Sequence, residues 1–75
     1  MRLKVIDVNF TSRYDWLFML KDQNGEVYYI MDESFYKKYN MKTPITKQHL
    51  DSLDRGQSIN AITREINDRK IVVQF

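Results

Sequence analysis

A small, mainly β domain of element order β-β-β-α-β-β is predicted for this 75-residue chain, and three features predict it. Two pairs of β-prone runs are joined through turn dipeptides, Asn24-Gly25 in the first pair and Asn67-Asp68 in the second. A punctuated helical stretch after Pro44 lies between those pairs. The length admits one domain, residues 1–75, and no second core. So short a chain buries only about 60% of the surface its unfolded form exposes, so modest stability is expected.

Residues 2–10 alternate like a half-buried strand, but the phase slips. Leu3 and Val5 share one face, whereas Ile6, Val8 and Phe10 share the other, so a bulge or bend is predicted near Val5–Ile6. Thr11-Ser12-Arg13 reads as a loop. Asp15–Asp22 and Glu26–Asp32 then form a hairpin, with Asn24-Gly25 as a two-residue type I′ turn. That turn sets Lys21 opposite Tyr28, Leu20 opposite Tyr29 and Phe18 opposite Met31. One face then carries Trp16, Phe18, Leu20, Val27, Tyr29 and Met31, and the other Leu17, Met19, Lys21, Tyr28 and Ile30. Both faces are apolar, so one is core and the second needs a helix, a loop or a partner to cover it.

Glu33–Asn40 has Phe35, Tyr36 and Tyr39 at helical spacing, with Asn40 suited to a left-handed end. A second helix is predicted over 47–55. Thr46 is its N-cap, Ile45 and Leu50 make a hydrophobic staple, Leu50 and Leu53 share a face, and Gly56 takes the C′ position. The last hairpin pairs Ser58–Ile66 with Lys70–Phe75. It sets Glu65 opposite Lys70 and Ile62 opposite Val73, and gathers Ile62, Ile66, Ile71, Val73 and Phe75 on one face.

Five strands with a helix between the third and fourth is the element order of a small OB-like barrel, and the resemblance covers most of the chain without a diagnostic motif. A bent first strand serving two halves of the sheet suits that architecture. An SH3-like barrel is the alternative, although its last connection is usually one tight turn rather than a capped helix.

Composition narrows the chemistry. With no cysteine, neither disulfides nor thiolate metal sites supplement the core, as expected of a cytoplasmic protein. No apolar run approaches the roughly 20 residues of a membrane span, and the N-terminus lacks the h-region of a signal peptide. The net charge of +2 permits nucleic-acid binding without demanding it. Catalysis is poorly supplied: His49 is the one histidine, and no oriented partner stands at helical spacing from it. Asp51 with Asp54 and Asp32 with Glu33 make no calcium loop or metal triad, and no glycine-rich phosphate loop is present. The expectation is a non-enzymatic module without metal or cofactor.

Five Tyr, four Phe and one Trp either fill the core or form a contact surface. OB-type barrels stack bases of single-stranded nucleic acid on aromatic rings while cations track the phosphates, which gives the first functional expectation. Core packing is the stronger reading for Trp16, Phe18 and Tyr29. The candidate contacts are Tyr14, Lys21, Tyr28 and Ile30, with Arg13 beside Tyr14. The acid-free stretch Tyr36, Lys37, Lys38, Lys42 and Lys47 adds a phosphate-attracting patch, although a solvated surface explains it as well. The second expectation is a protein-interaction module, an adaptor or inhibitor docking through the 15–32 hairpin onto a protein partner or, as a homodimer, onto a second copy.

Overall fold

A computed structural model describes residues 1–9, 15–45, 47–50 and 52–75, and the side chains of residues 47 and 50 are outside that description. The elements are β1 (Arg2–Val8), β2 (Trp16–Lys21), β3 (Val27–Met31), α1 (Glu33–Lys38), α2 (Lys47–Leu50), β4 (Ser58–Asn60), β5 (Ile62–Ile66) and β6 (Arg69–Gln74). The strands form one curled six-stranded sheet in the order β4-β1-β2-β3-β6-β5. Every pairing is antiparallel except β3 with β6, which run parallel through Tyr29 and Ile71.

Six strands appear where five are expected, because the 58–66 run is divided at Ala61. The Ala61 N–H donates to the Met1 carbonyl (2.7 Å), and the terminal ammonium of Met1 donates back to the Ala61 carbonyl (3.1 Å). Before Ala61 the chain pairs with β1, and after it with β6. The two outermost strands are therefore one residue apart in sequence.

The bulge expected in the first strand is present. Register against β2 shifts between Val5 and Asp7, leaving Ile6 as the extra residue. Leu3 and Val5 point into the core, and the half-buried Val8 packs against it.

The first hairpin departs from expectation by one residue. Lys21 pairs with Val27, Leu20 with Tyr28, Met19 with Tyr29 and Phe18 with Ile30. Its loop has three residues rather than two, because the Asp22 N–H donates to the Glu26 carbonyl (3.0 Å) and the Gly25 N–H to the Asp22 carbonyl (3.1 Å). Asp22 Oδ1 also accepts from the N–H groups of Asn24 (2.8 Å) and Glu26 (3.0 Å), and Gly25 closes the turn at φ +83°. A one-residue slip exchanges the faces of a strand. Tyr28 and Ile30 therefore join Phe18 and Leu20 inside, with Leu3, Val5, Leu53, Ala61 and Val72.

On the opposite face of β3 and β6, Met31, Ile71 and Tyr36 make a second buried cluster, edged by Trp16, Tyr29, Phe35, Met41, Ile66 and Val73. The cover that the apolar hairpin needs on this side is α1. Asp32 caps the helix by accepting from the Phe35 N–H (3.2 Å). At the other end Asn40 adopts φ +58°, the Met41 N–H donates to the Tyr36 carbonyl (2.8 Å) and the Asn40 N–H to the Lys37 carbonyl (3.1 Å). This is a Schellman motif ending in the expected left-handed residue.

The helix expected over 47–55 is only the four-residue α2, and Thr46, Asp51 and the Leu50 side chain lie outside the described residues. Leu53 still reaches the core. Gly56, at φ +85°, does not end a helix: its N–H donates to the Val5 carbonyl (2.7 Å), leading the chain into β4. In the last hairpin Asn67 and Asp68 both have positive φ, and Glu65 faces Lys70 as expected. A register shift at Ile62/Thr63 then sets Ile62 opposite Gln74 instead of Val73, so Ile62 and Phe75 are exposed rather than part of a buried face.

Replacing Gly25 with Ala is expected to cost about 1–2 kcal/mol in a urea melt, since any Cβ at that positive φ is strained although space around it is open. The Tyr36 hydroxyl donates to the Val72 carbonyl (2.7 Å) and accepts from the Met31 N–H (3.3 Å), both buried. Tyr36→Phe orphans both and is expected to cost about 1–3 kcal/mol in the same assay. Burial pushes the Tyr36 phenol up to about 12, against a smaller lowering by its Met31 hydrogen bond. The folded state thus holds this proton more tightly than the unfolded state, whose phenol has the ordinary value of 10.0. Its contribution is complete below pH 10 and lost as pH rises towards 12. Melts of the parent protein are expected to lose stability across that window, with a shallower loss in Tyr36→Phe.

Candidate functional site

The residues expected to make contact fall into separate environments. Tyr28, Ile30 and Tyr36 are 5%, 1% and 1% exposed, so they are core and not contact surface. The register slip explains the first two, and the bridging role of its hydroxyl explains Tyr36. Arg13, Tyr14 and the Lys47 side chain lie outside the described residues. Lys37, Lys38 and Lys42 are exposed. Lys37 pairs with Glu33 at 3.3 Å along α1, and Lys38 lies 5.8 Å from the Tyr39 ring centroid. An exposed pair of this kind contributes little to stability. Lys21 is exposed as expected, and it belongs to a group that sequence reasoning did not assemble.

That group is built by strand alternation. Leu3 and Val5 point inward from β1, so Arg2 and Lys4 point outward. Lys4 stands directly opposite Lys21 of β2 on one side and Ser58 of β4 on the other. Arg2 stands opposite Asn60. Arg2, Lys4, Ile6, Lys21, Asn24 and Ser58 line an open cleft of about 640 Å³.

Among the described residues, Lys37, Arg55, Arg69 and Lys70 form ion pairs, whereas Arg2, Lys4 and Lys21 form none. The acid lining this cleft is Asp22, and its carboxylate is already engaged by two turn N–H groups and by the Tyr28 hydroxyl (3.1 Å). Burial raises the Tyr28 phenol, and the hydrogen bond and negative charge of Asp22 raise it further. Tyr28 therefore stays a neutral donor that holds Asp22 in the turn. The cleft presents to solvent three cations that form no ion pair among the described residues, with the single carboxylate of Asp22 at its edge.

Aromatic side chains continue from this row along the same outer face. Tyr29, opposite Met19, is half-buried and packs against Trp16, with ring centroids 6.1 Å apart and planes tilted by 51°. Arg69 lies 5.7 Å from the Tyr29 centroid and is ion-paired to Asp15 at 2.7 Å.

His49 is exposed on α2, and its carbonyl accepts from Ser52 Oγ (2.7 Å). No group of three His, Asp or Glu among the described residues is placed to hold a metal ion, and no helix is long and apolar enough to cross a membrane. Compared with known protein families, curated proteins and solved structures, the chain matches none.

Like charges directly opposite on neighbouring strands repel. Lys21→Gln is therefore expected to raise the urea midpoint slightly. Lys21→Glu is expected to raise it further by creating a cross-strand pair with Lys4. Either variant unfolding at lower urea than the parent overturns this account of the row.

Proposed function

We propose that this chain is a small non-enzymatic module that binds single-stranded nucleic acid on the outer face of a five-stranded OB-like barrel. The fold reading treats β4 and β5 as one bent strand broken at Ala61. Its support is the pairing pattern, in which the first strand contacts both the second and the broken strand, and the third runs parallel to the last. The SH3-like alternative draws no comparable support from the parallel β3–β6 pair, which needs a long crossover, here residues 32–68.

The observation that carries the functional reading is the outer row of Arg2, Lys4 and Lys21, without ion pairs among the described residues, with the half-buried Tyr29–Trp16 pair farther along the hairpin beyond Met19. Cations supply sequence-independent attraction to phosphates, and each base stacked on a ring adds about 1–3 kcal/mol. The near-neutral total charge is compatible with this, since the charge that matters is local.

A protein-interaction module is the second reading. The hairpin faces that suggested it are largely taken up by the core and by α1, but Met1, Ile62 and Phe75 are exposed at 58%, 56% and 39%. Met1 pairs with Ala61 and Ile62 with Gln74, which brings these three towards one end of the sheet.

Fluorescence anisotropy with labelled single-stranded DNA, single-stranded RNA and duplex separates the readings. Binding is expected to be tighter to the single strands, to weaken steadily as salt is added, and to quench Trp16 emission. No binding at low salt, together with a dimer in sedimentation, overturns the nucleic-acid reading in favour of the second.

A further inference from the structure

Resting on that reading, we propose that the outward face of β4, β1 and β2 holds two successive phosphates of one extended strand: Lys4, Lys21 and Ser58 take the first, within the cleft, and Arg2 and Asn60 the second, at its edge. The pairings place these groups in two rows across the sheet. Lys21, Lys4 and Ser58 are mutually opposite on three neighbouring strands, and Arg2 and Asn60 form the next outward-facing row along β1. Ser58 and Asn60 are exposed and share the outer face with their partners.

The spacing suits the ligand. Outward residues two apart on a strand are separated by roughly 6.5–7 Å, close to the phosphate repeat of an extended sugar–phosphate chain. Across the sheet, directly opposed Cβ atoms lie about 4.5–5.5 Å apart, near enough for both lysines to reach one phosphate. Each row combines charge with a neutral partner. The Ser58 hydroxyl and the Asn60 amide donate to oxygens that the cations leave free. The Arg2 guanidinium offers a planar fork, whereas the lysines act as point charges that both lose their mutual repulsion when an anion sits between them. The turn N–H groups and Tyr28 hold the Asp22 carboxylate within the turn, and Arg2, Lys4 and Lys21 form no ion pair with it.

A strand therefore runs along β1, past the turn containing Asn24, with its bases directed over β2 and β3 towards Tyr29. A duplex presents a different surface, since its bases are paired inward and its phosphates follow a helical path.

The test is the salt dependence of oligothymidylate binding for the intact protein, Arg2→Gln, the double variant Lys4→Gln/Lys21→Gln, and Arg64→Gln on β5 as a control outside the cleft. For a single strand the slope of log K against log salt is about −0.7 per phosphate neutralised. Arg2→Gln and the lysine pair are each expected to reduce the slope by about 0.7, with Arg64→Gln unchanged and all variants melting like the parent or higher. If the parent binds but its slope is indifferent to both cleft variants, the two-phosphate track is wrong and the nucleic-acid reading stands. If the parent binds no oligonucleotide, that reading fails as well. Equal competition by a flexible polysulfate also overturns the track, because a fixed phosphate register is then not what the cleft recognises.

Discussion

The Tyr36 hydroxyl is the join on which the two halves of the sheet depend. β3 and β6 run side by side through the Tyr29–Ile71 pairing, and they come from hairpins far apart in sequence. Past that pairing, the phenol takes the Met31 N–H from one strand and offers its own proton to the Val72 carbonyl of the other. A side chain thus supplies a bridge that backbone pairing does not. For the ring to reach it, α1 has to start at Asp32 and end in the left-handed Asn40, which explains why so short a helix is capped at both ends. Its apolar side then closes the second cluster over Met31 and Ile71.

Which parts of this arrangement can be read from the chain depends on the range of the forces involved. The bulge at Ile6 and the turn at Asn67-Asp68 follow from local alternation and local φ preferences, and both are where those preferences put them. The register of the first hairpin is different. Asn24-Gly25 suggests a two-residue turn, but the Asp22 carboxylate collects the Asn24 and Glu26 N–H groups and makes a three-residue loop. That single side chain moves Tyr28 and Ile30 from the outer surface to the core. Similarly, residues 52–55 are not helical although the leucine spacing suggests a helix over 47–55, and Leu53 is buried as its pattern implies.

The candidate site was hidden for the same reason. Arg2 and Lys4 are ordinary outward residues of an edge-like strand until their neighbours are known, and only the pairings with β2 and β4 set Lys21, Ser58 and Asn60 beside them. Lys21 alone was visible from composition and hairpin pattern. The row also has a physical signature absent from any single residue: two lysines directly opposite on neighbouring strands, neither of them in an ion pair among the described residues. Such a placement works against folding and in favour of an anionic ligand, so stability and binding pull in opposite directions at this point of the sheet.

The change of partner at Ala61 has a consequence for how the molecule opens. The contact between β1 and β4 joins residues more than fifty positions apart through three register pairs, flanked by the Met1–Ala61 and Val5–Gln57 hydrogen bonds, so its loop-closure entropy is high. Closing a seam of such sequence separation costs more chain entropy than closing the local hairpin ladders on either side of the main core. Arg2 and Lys4 border it from β1, opposite Asn60 and Ser58. An anion bridging Lys4 and Ser58 would act as a clasp across this long-range seam, and amide hydrogens of β4 would exchange more slowly whenever it is in place.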